Sequence, residues 1–322
     1  VSSLSAGVSY FTLGAYIDIG LLRYLCFIII MLIYCLIICA NVLLIVVICM
    51  NRSLHEPMYM FLCSLFVTEV LASSGLFPFL LVQILSDIHT VSVPLCFLQI
   101  LCLYSYANME FFTLAIMSYD RYLAICFPLQ YNTLMTSKKV VILIATALVL
   151  AVLEVGVLIS LSASLQLCGN IISKVYCDNF TIVRLACSDT SVNNIYGMTY
   201  MFTMILGLII LILYTYFRIL RVCFSGSKET RQKALSTCTP HIASLLNFSF
   251  GCFFEIVQSR FDMSRTRLDM NSVPSVLRIV LSLYFVIIQP LLNPIMYGLQ
   301  MSKIRNTCKI LCCYKILTDA CV

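Results

Sequence analysis

The sequence predicts an all-α protein built as a seven-transmembrane helix bundle. Three observations predict it. Of 322 residues, 61% are hydrophobic and only 11% are charged, whereas a soluble domain carries about 25% charged residues to cover its water-facing surface. The apolar residues gather into seven runs, each near or above the roughly 20 residues that cross a bilayer as a helix. The connectors are short apart from Gln166–Asn193 and Ser259–Val276, which leaves no room for a separate soluble domain, so residues 1–322 form one unit.

The runs follow in order. The first, Tyr24–Met50, contains no charged residue and carries Asn41; no basic stretch followed by an apolar one precedes it, so no cleavable leader is expected. The second, Met58–Val82, holds Glu69 at its middle. The third, Pro94–Cys126, holds Glu110 and reaches Asp120 and Arg121 near its end. The fourth, Val140–Leu165, carries Glu154, and the fifth is Asn194–Cys223. The sixth, Ala234–Gln258, carries Glu255 in its last turns. The seventh, Leu277–Leu299, encloses Pro290 and Pro294. Residues 300–322 form a tail whose stretch Met301–Leu317 reads as a short amphipathic helix on the inner leaflet, with Cys308, Cys312 and Cys313 either palmitoylated or free.

Lysine and arginine set the orientation. With the N-terminus outside, the cytoplasmic segments hold the larger share, including Arg52, Lys138, Lys139, Lys228, Arg231 and Lys233. Asp120 and Arg121 then lie at the cytoplasmic end of the third helix, while Cys96, Cys168, Cys177 and Cys187 lie outside. Four cysteines in an oxidising compartment allow two disulfides in three pairings.

The composition also narrows the chemistry. There are 18 cysteines but only three histidines, and none sits at zinc spacing. No metalloprotease, phosphate-loop, dinucleotide or nucleophile-elbow motif occurs, which argues against an enzyme. No nucleic-acid partner is expected. An ionisable residue inside a span is a functional signal by default. Glu69 and Glu110 facing one interior would repel unless a cation or a proton sat between them; the competing reading is neutral acids that only pack. A proton- or ion-coupled transporter using Glu69, Glu110 and Glu154 is the alternative of a different class, but it calls for inverted repeats that the sequence does not display. Pro290 and Pro294 each remove a backbone hydrogen bond, which makes the seventh helix a hinge or merely a kinked span.

Together these residues resemble the rhodopsin-like, class A G-protein-coupled receptors, and within them the vertebrate odorant receptors. "LHEPMYMFLCSL" (Leu54–Leu65) resembles the family's LHxPMYxFLxxL, and "MSYDRYLAIC" (Met117–Cys126) its MAYDRYVAIC. "PLQY" (Pro128–Tyr131) resembles PLxY, "KALSTCTPH" (Lys233–His241) resembles KAxSTCxSH, and "LLNPIMYGL" (Leu291–Leu299) resembles LNPxIYxL. "SRF" (Ser259–Phe261) is similar to the corresponding place in the fish-like, class I odorant receptors.

The resemblance implies an odorant receptor of the plasma membrane, in the sensory cilia of olfactory neurons. Its partners would be a small odorant, a stimulatory olfactory G protein acting through cyclic AMP, and membrane lipids. A non-olfactory chemosensor of the same class is the nearest alternative. The implied activation switch comprises Asp120, Arg121, Tyr122, Tyr216, Asn293, Pro294 and Tyr297. The implied disulfides are Cys96–Cys177 and Cys168–Cys187. A sodium site would use Asn41, Glu69, Glu110 and Asn293, with Glu69 standing where the family usually has aspartate; no other cofactor is expected. The odorant would meet Leu103, Tyr104, Ala107 and Asn108 of the third helix, with Asn179, Phe202, Cys252, Glu255 and Ile256. Arg260 would anchor a carboxylate through its planar guanidinium.

Overall fold

The computed structural model describes residues 8–16, 19–225, 238–239, 241–253 and 275–307. The principal helices are α1 (Leu22–Met50), α2 (Pro57–Leu85), α3 (Val93–Cys126), α4 (Ser137–Ala163) and α5 (Ser191–Ser225). They continue with α6 (His241–Phe253) and α7 (Ser275–Gln300). Among the described residues five of these are long and apolar enough to cross a membrane, and α6 is a shorter apolar helix.

Local chemistry sets the ends. Pro57 occupies the first turn of α2, where its missing N–H costs nothing. The Thr136 hydroxyl caps α4 by accepting from the Lys139 amide at 3.3 Å. Two short helices join the long ones: Tyr131–Leu134 between α3 and α4, and Asn179–Arg184, whose N-cap Asp178 accepts from the Thr181 amide at 3.2 Å. Residues 302–307 are helical and fold back, burying Ile304 in the core formed by α1, α2 and α3.

One element lies beyond the all-α expectation. Strands β1 (Tyr10–Leu13), β2 (Thr90–Ser92) and β3 (Ile171–Ile172) form a small sheet in the order β2-β1-β3, antiparallel on one side of β1 and parallel on the other. Phe11, Leu13, Val91 and Ile172 pack beneath it around Cys96 and Cys177. Strands this short carry too little alternation to register in a sequence dominated by apolar helices.

The disulfides Cys96–Cys177 and Cys168–Cys187 are both present, with Cα separations of 5.4 and 5.6 Å. The first ties the segment after β3 to the start of α3. The Gln99 side chain reinforces it by accepting from the Cys177 amide at 2.7 Å.

Candidate functional site

Three polar places lie along the bundle axis. Beneath the sheet, α3, α5, α6 and α7 enclose a cavity of about 130 Å³. Its α3 wall is Leu103, Tyr104, Ala107, Asn108 and Phe111, residues three and four apart on one helical face. Tyr200, Met201 and Met204 come from α5, Phe248, Ser249 and Cys252 from α6, and Tyr176 and Asp178 close the outer end.

The walls are apolar with a few polar groups, the usual makeup of a small-molecule site. Tyr104 donates its hydroxyl to Asp178 Oδ1 at 2.6 Å, and Lys174 Nζ lies 3.6 Å from Asp178 Oδ2. Both members of that ion pair are almost fully buried. At the inner end the Tyr200 hydroxyl donates to Asn108 Oδ1, and Asn108 Nδ2 donates to Ala151 O and Glu154 Oε2, each at 3.4 Å.

Leu103, Tyr104, Ala107, Asn108 and Cys252 therefore line one cavity. Phe202 does not: it is 66% exposed on the outer face of α5. Helical phase explains this correction. Tyr200, Met201 and Met204 face inward, and Phe202, rotated about 100° beyond Met201, faces out. Asn179 is buried but absent from the cavity wall, where Tyr176 and Asp178 stand instead. Glu255, Ile256 and Arg260 lie outside the described residues. Tyr200 and Asp178 went unmarked in the sequence, since a tyrosine on an apolar helix and a loop aspartate carry no distinctive spacing.

Mid-bundle, Asn293 of α7 holds two carboxylates with one amide group: Nδ2 donates to Glu69 Oε1 at 2.5 Å and to Glu110 Oε1 at 2.8 Å. Glu69, Glu110, Asn41 and Asn293 are all fully buried. Asn41 bonds elsewhere, donating to Ile37 O at 3.0 Å and to Pro290 O at 2.9 Å. Pro294 has no N–H to offer the carbonyl four residues earlier, so Asn41 satisfies the group that the proline orphans.

A ladder missed by sequence reading joins α6 to α7. Ser244 donates to Asn293 Oδ1 at 2.7 Å, Asn247 donates to Gln289 Oε1 at 2.5 Å, and Tyr284 donates to Asn247 Oδ1 at 2.9 Å. His241 Nδ1 lies 3.3 Å from the Tyr297 hydroxyl.

At the end opposite the disulfides, Arg121 Nη2 donates to Asp120 Oδ2 at 2.8 Å. Tyr131 donates to the other oxygen, Oδ1, at 2.7 Å, so the buried carboxylate is held from two sides. Burial, and secondarily the charge of Asp120, push the Tyr131 phenol above its ordinary pKa, which keeps its proton in place as a donor. Tyr122 stacks edge-on against Phe127. Tyr216 packs against α3 and α6 beside Leu114 and Leu245, with its buried hydroxyl unpartnered among the described residues.

Known proteins share this arrangement of sequence. The sequence model of the olfactory receptor family matches residues 30–315. Human olfactory receptor 52D1 is 36% identical over 269 residues, covering 83% of this chain and 82% of that one. Human olfactory receptor 11A1 is 34% identical over 322 residues, 98% and 97% of the two chains. Mouse olfactory receptor 6E1 is 34% identical over 304 residues, 94% of each. The chain belongs to the olfactory receptor family, and is thus a multi-pass plasma-membrane receptor with an odorant as ligand and a G protein as partner, rather than an enzyme.

Proposed function

We propose that the cavity beneath the sheet takes a small odorant and that its occupation releases the Asp120–Arg121 pair to a stimulatory olfactory G protein, raising cyclic AMP. One observation carries this reading. The turns of α6 that line the cavity, Phe248 to Cys252, continue directly into the turn that bonds α7 through Ser244 and Asn247. A ligand that prefers a shifted α6 therefore works against those bonds, and can move the population only by its differential affinity for the two arrangements. Arg121 is the group such a shift would free. The carboxylate anchor at Arg260 rests on the sequence alone.

Sodium is the second part of the proposal. Two carboxylates sharing one amide repel each other when both are ionised, and a monovalent cation or a proton removes that cost. Glu69 Oε2, Glu110 Oε2, Asn41 Oδ1 and, one turn along α2, Ser73 Oγ are buried oxygens with no hydrogen-bond partner among the described residues. Such hard oxygens suit a sodium ion. Sodium chloride should raise the melting temperature of the purified receptor above that in choline chloride, and Glu110→Gln should remove the difference. Equal melting in both salts would sink the site.

Signalling is tested by cyclic AMP in cells carrying a stimulatory olfactory G protein, challenged with small acids, amines, alcohols and ketones. Wild type, Arg121→Ala and the cavity-filling Ala107→Phe would be matched for surface expression. Responses lost in both variants support the reading. A response that survives Ala107→Phe would move the ligand out of this cavity.

A further inference from the structure

We infer that the cavity selects small neutral molecules that donate a hydrogen bond, alcohols and phenols, over carbonyl compounds, ethers and carboxylates of the same shape; this rests on the cavity being the odorant site. The inference follows from counting protons at its polar ends. Ala151 O has only lone pairs, so the amide of Asn108 must turn Nδ2 toward it, and Glu154 Oε2 takes the other amide proton. The orientation of Asn108 is thereby fixed. Its Oδ1 then accepts the only proton of Tyr200. Both amide protons and the phenolic proton are committed, and what Asn108 and Tyr200 still offer is lone pairs.

The outer end repeats the pattern. Tyr104 commits its proton to Asp178. Asp178 itself only accepts, and Lys174 at 3.6 Å already balances its charge. Among the described residues Ser249 adds a hydroxyl to the wall, and a serine hydroxyl can turn either way. Groups held in place thus present acceptors at both ends of an apolar chamber. A carbonyl or ether oxygen placed against them faces lone pairs and loses its water without replacement. A carboxylate adds charge repulsion. An ammonium ion could donate, but among the described residues of the wall the carboxylate, Asp178, is already balanced by Lys174, so the cation's desolvation is poorly compensated there. A hydroxyl gives up one proton and is satisfied. The size also fits: a dry cavity of roughly 150 Å³ holds benzene, against about 130 Å³ here.

The test uses the full-length receptor in lipid nanodiscs and reads the rise in melting temperature against concentration of cyclohexanol, cyclohexanone, cyclohexanecarboxylate and cyclohexylamine. Cyclohexanol should act at about five- to tenfold lower concentration than cyclohexanone, the worth of one net hydrogen bond. Tyr200→Phe should widen that gap, because it leaves Asn108 Oδ1 an open acceptor, while its retained response to the ketone reports an intact fold. Asn108→Leu should reverse the order, because it frees the Tyr200 proton to point at a ketone. Equal or better binding of the ketone by wild type overturns the inference, as does a gap unchanged in both Tyr200→Phe and Asn108→Leu. So does a carboxylate or amine that binds best, or no shift with any probe. Alcohol binding without a cyclic AMP response leaves the inference standing and removes the signalling proposal instead.

Discussion

Asn41 of α1 gives an amide proton to the carbonyl of Pro290 on α7, across 2.9 Å and 249 positions of sequence. The bond repairs a defect that Pro294 creates in its own helix. In hydrocarbon no water can take over this duty. Asn41→Leu should therefore lower stability by about 1–3 kcal/mol, the range for a buried polar group left unpaired. Thermal melting of the purified receptor measures it, and a melting temperature unchanged from wild type would show that Pro290 O finds another donor.

Tyr131 and Arg121 grip opposite oxygens of Asp120. Removing one grip should loosen the resting arrangement without removing Arg121 itself. Tyr131→Phe deletes a hydrogen bond to a charged group, about 1.5–3 kcal/mol. Expressed in the resting state alone, that loss raises basal signalling several-fold or more. Cyclic AMP measured without ligand, at matched surface expression, checks it. A silent Tyr131→Phe that still answers ligand normally would assign the phenol to packing.

The Cys96–Cys177 bond closes a loop of 81 positions, the Cys168–Cys187 bond one of 19. Loop-entropy arguments give about 4–5 kcal/mol for the longer and about 3 for the shorter. Cys177→Ser should accordingly destabilise more than Cys187→Ser. It also loosens the strap over the cavity, so ligand-dependent melting shifts should fall with it. A larger effect from Cys187→Ser would reverse that ranking.

Lys303 reaches Glu56 at 2.5 Å, but both side chains are about half exposed. An exposed pair contributes about 0–1 kcal/mol. Lys303→Ala should leave melting within 1–2 °C of wild type. A larger drop would mean that the lysine stem, lying beside buried Met301 and Ile304, packs as well as pairs.

Asn179 opens an Asn-Phe-Thr glycosylation signal, yet its side chain is buried at the start of a short helix and the Thr181 hydroxyl donates to Asp178 O at 2.7 Å. No glycan should attach there. Asn179→Gln should migrate on a gel as wild type does, and a mobility change on deglycosylation that Asn179→Gln abolishes would refute it.

Much of this was legible in the sequence because a bilayer imposes simple demands. Long uncharged runs announce helices, and a carboxylate in such a run announces a reason for its presence; Glu69 and Glu110 do converge, on Asn293. What was not legible depends on helical phase and on partners distant in sequence. Phe202 and Tyr200 are two positions apart and equally apolar in setting, yet one faces out and the other reaches Asn108. Ser244, Asn247 and Gln289 carry no spacing that marks them, and their roles come only from the packing of α6 against α7. The sheet went unread because its strands are two to four residues long and pair residues as distant as Thr12 and Thr90, or Thr12 and Ile171.

That sheet also constrains the order of assembly during synthesis. Its central strand, β1, leaves the ribosome first, while its two neighbours lie on either side of α3 and α4, far downstream. Non-local pairing of this kind is slow. Until β3 arrives, Tyr10–Leu13 is a bare edge with Phe11 and Leu13 uncovered, the sort of strand that recruits wrong partners. The sheet can thus close only when the chain beyond α4 has brought β3 back to its first strand, and the cavity waits longer still, for the three helices α5, α6 and α7 that complete its wall.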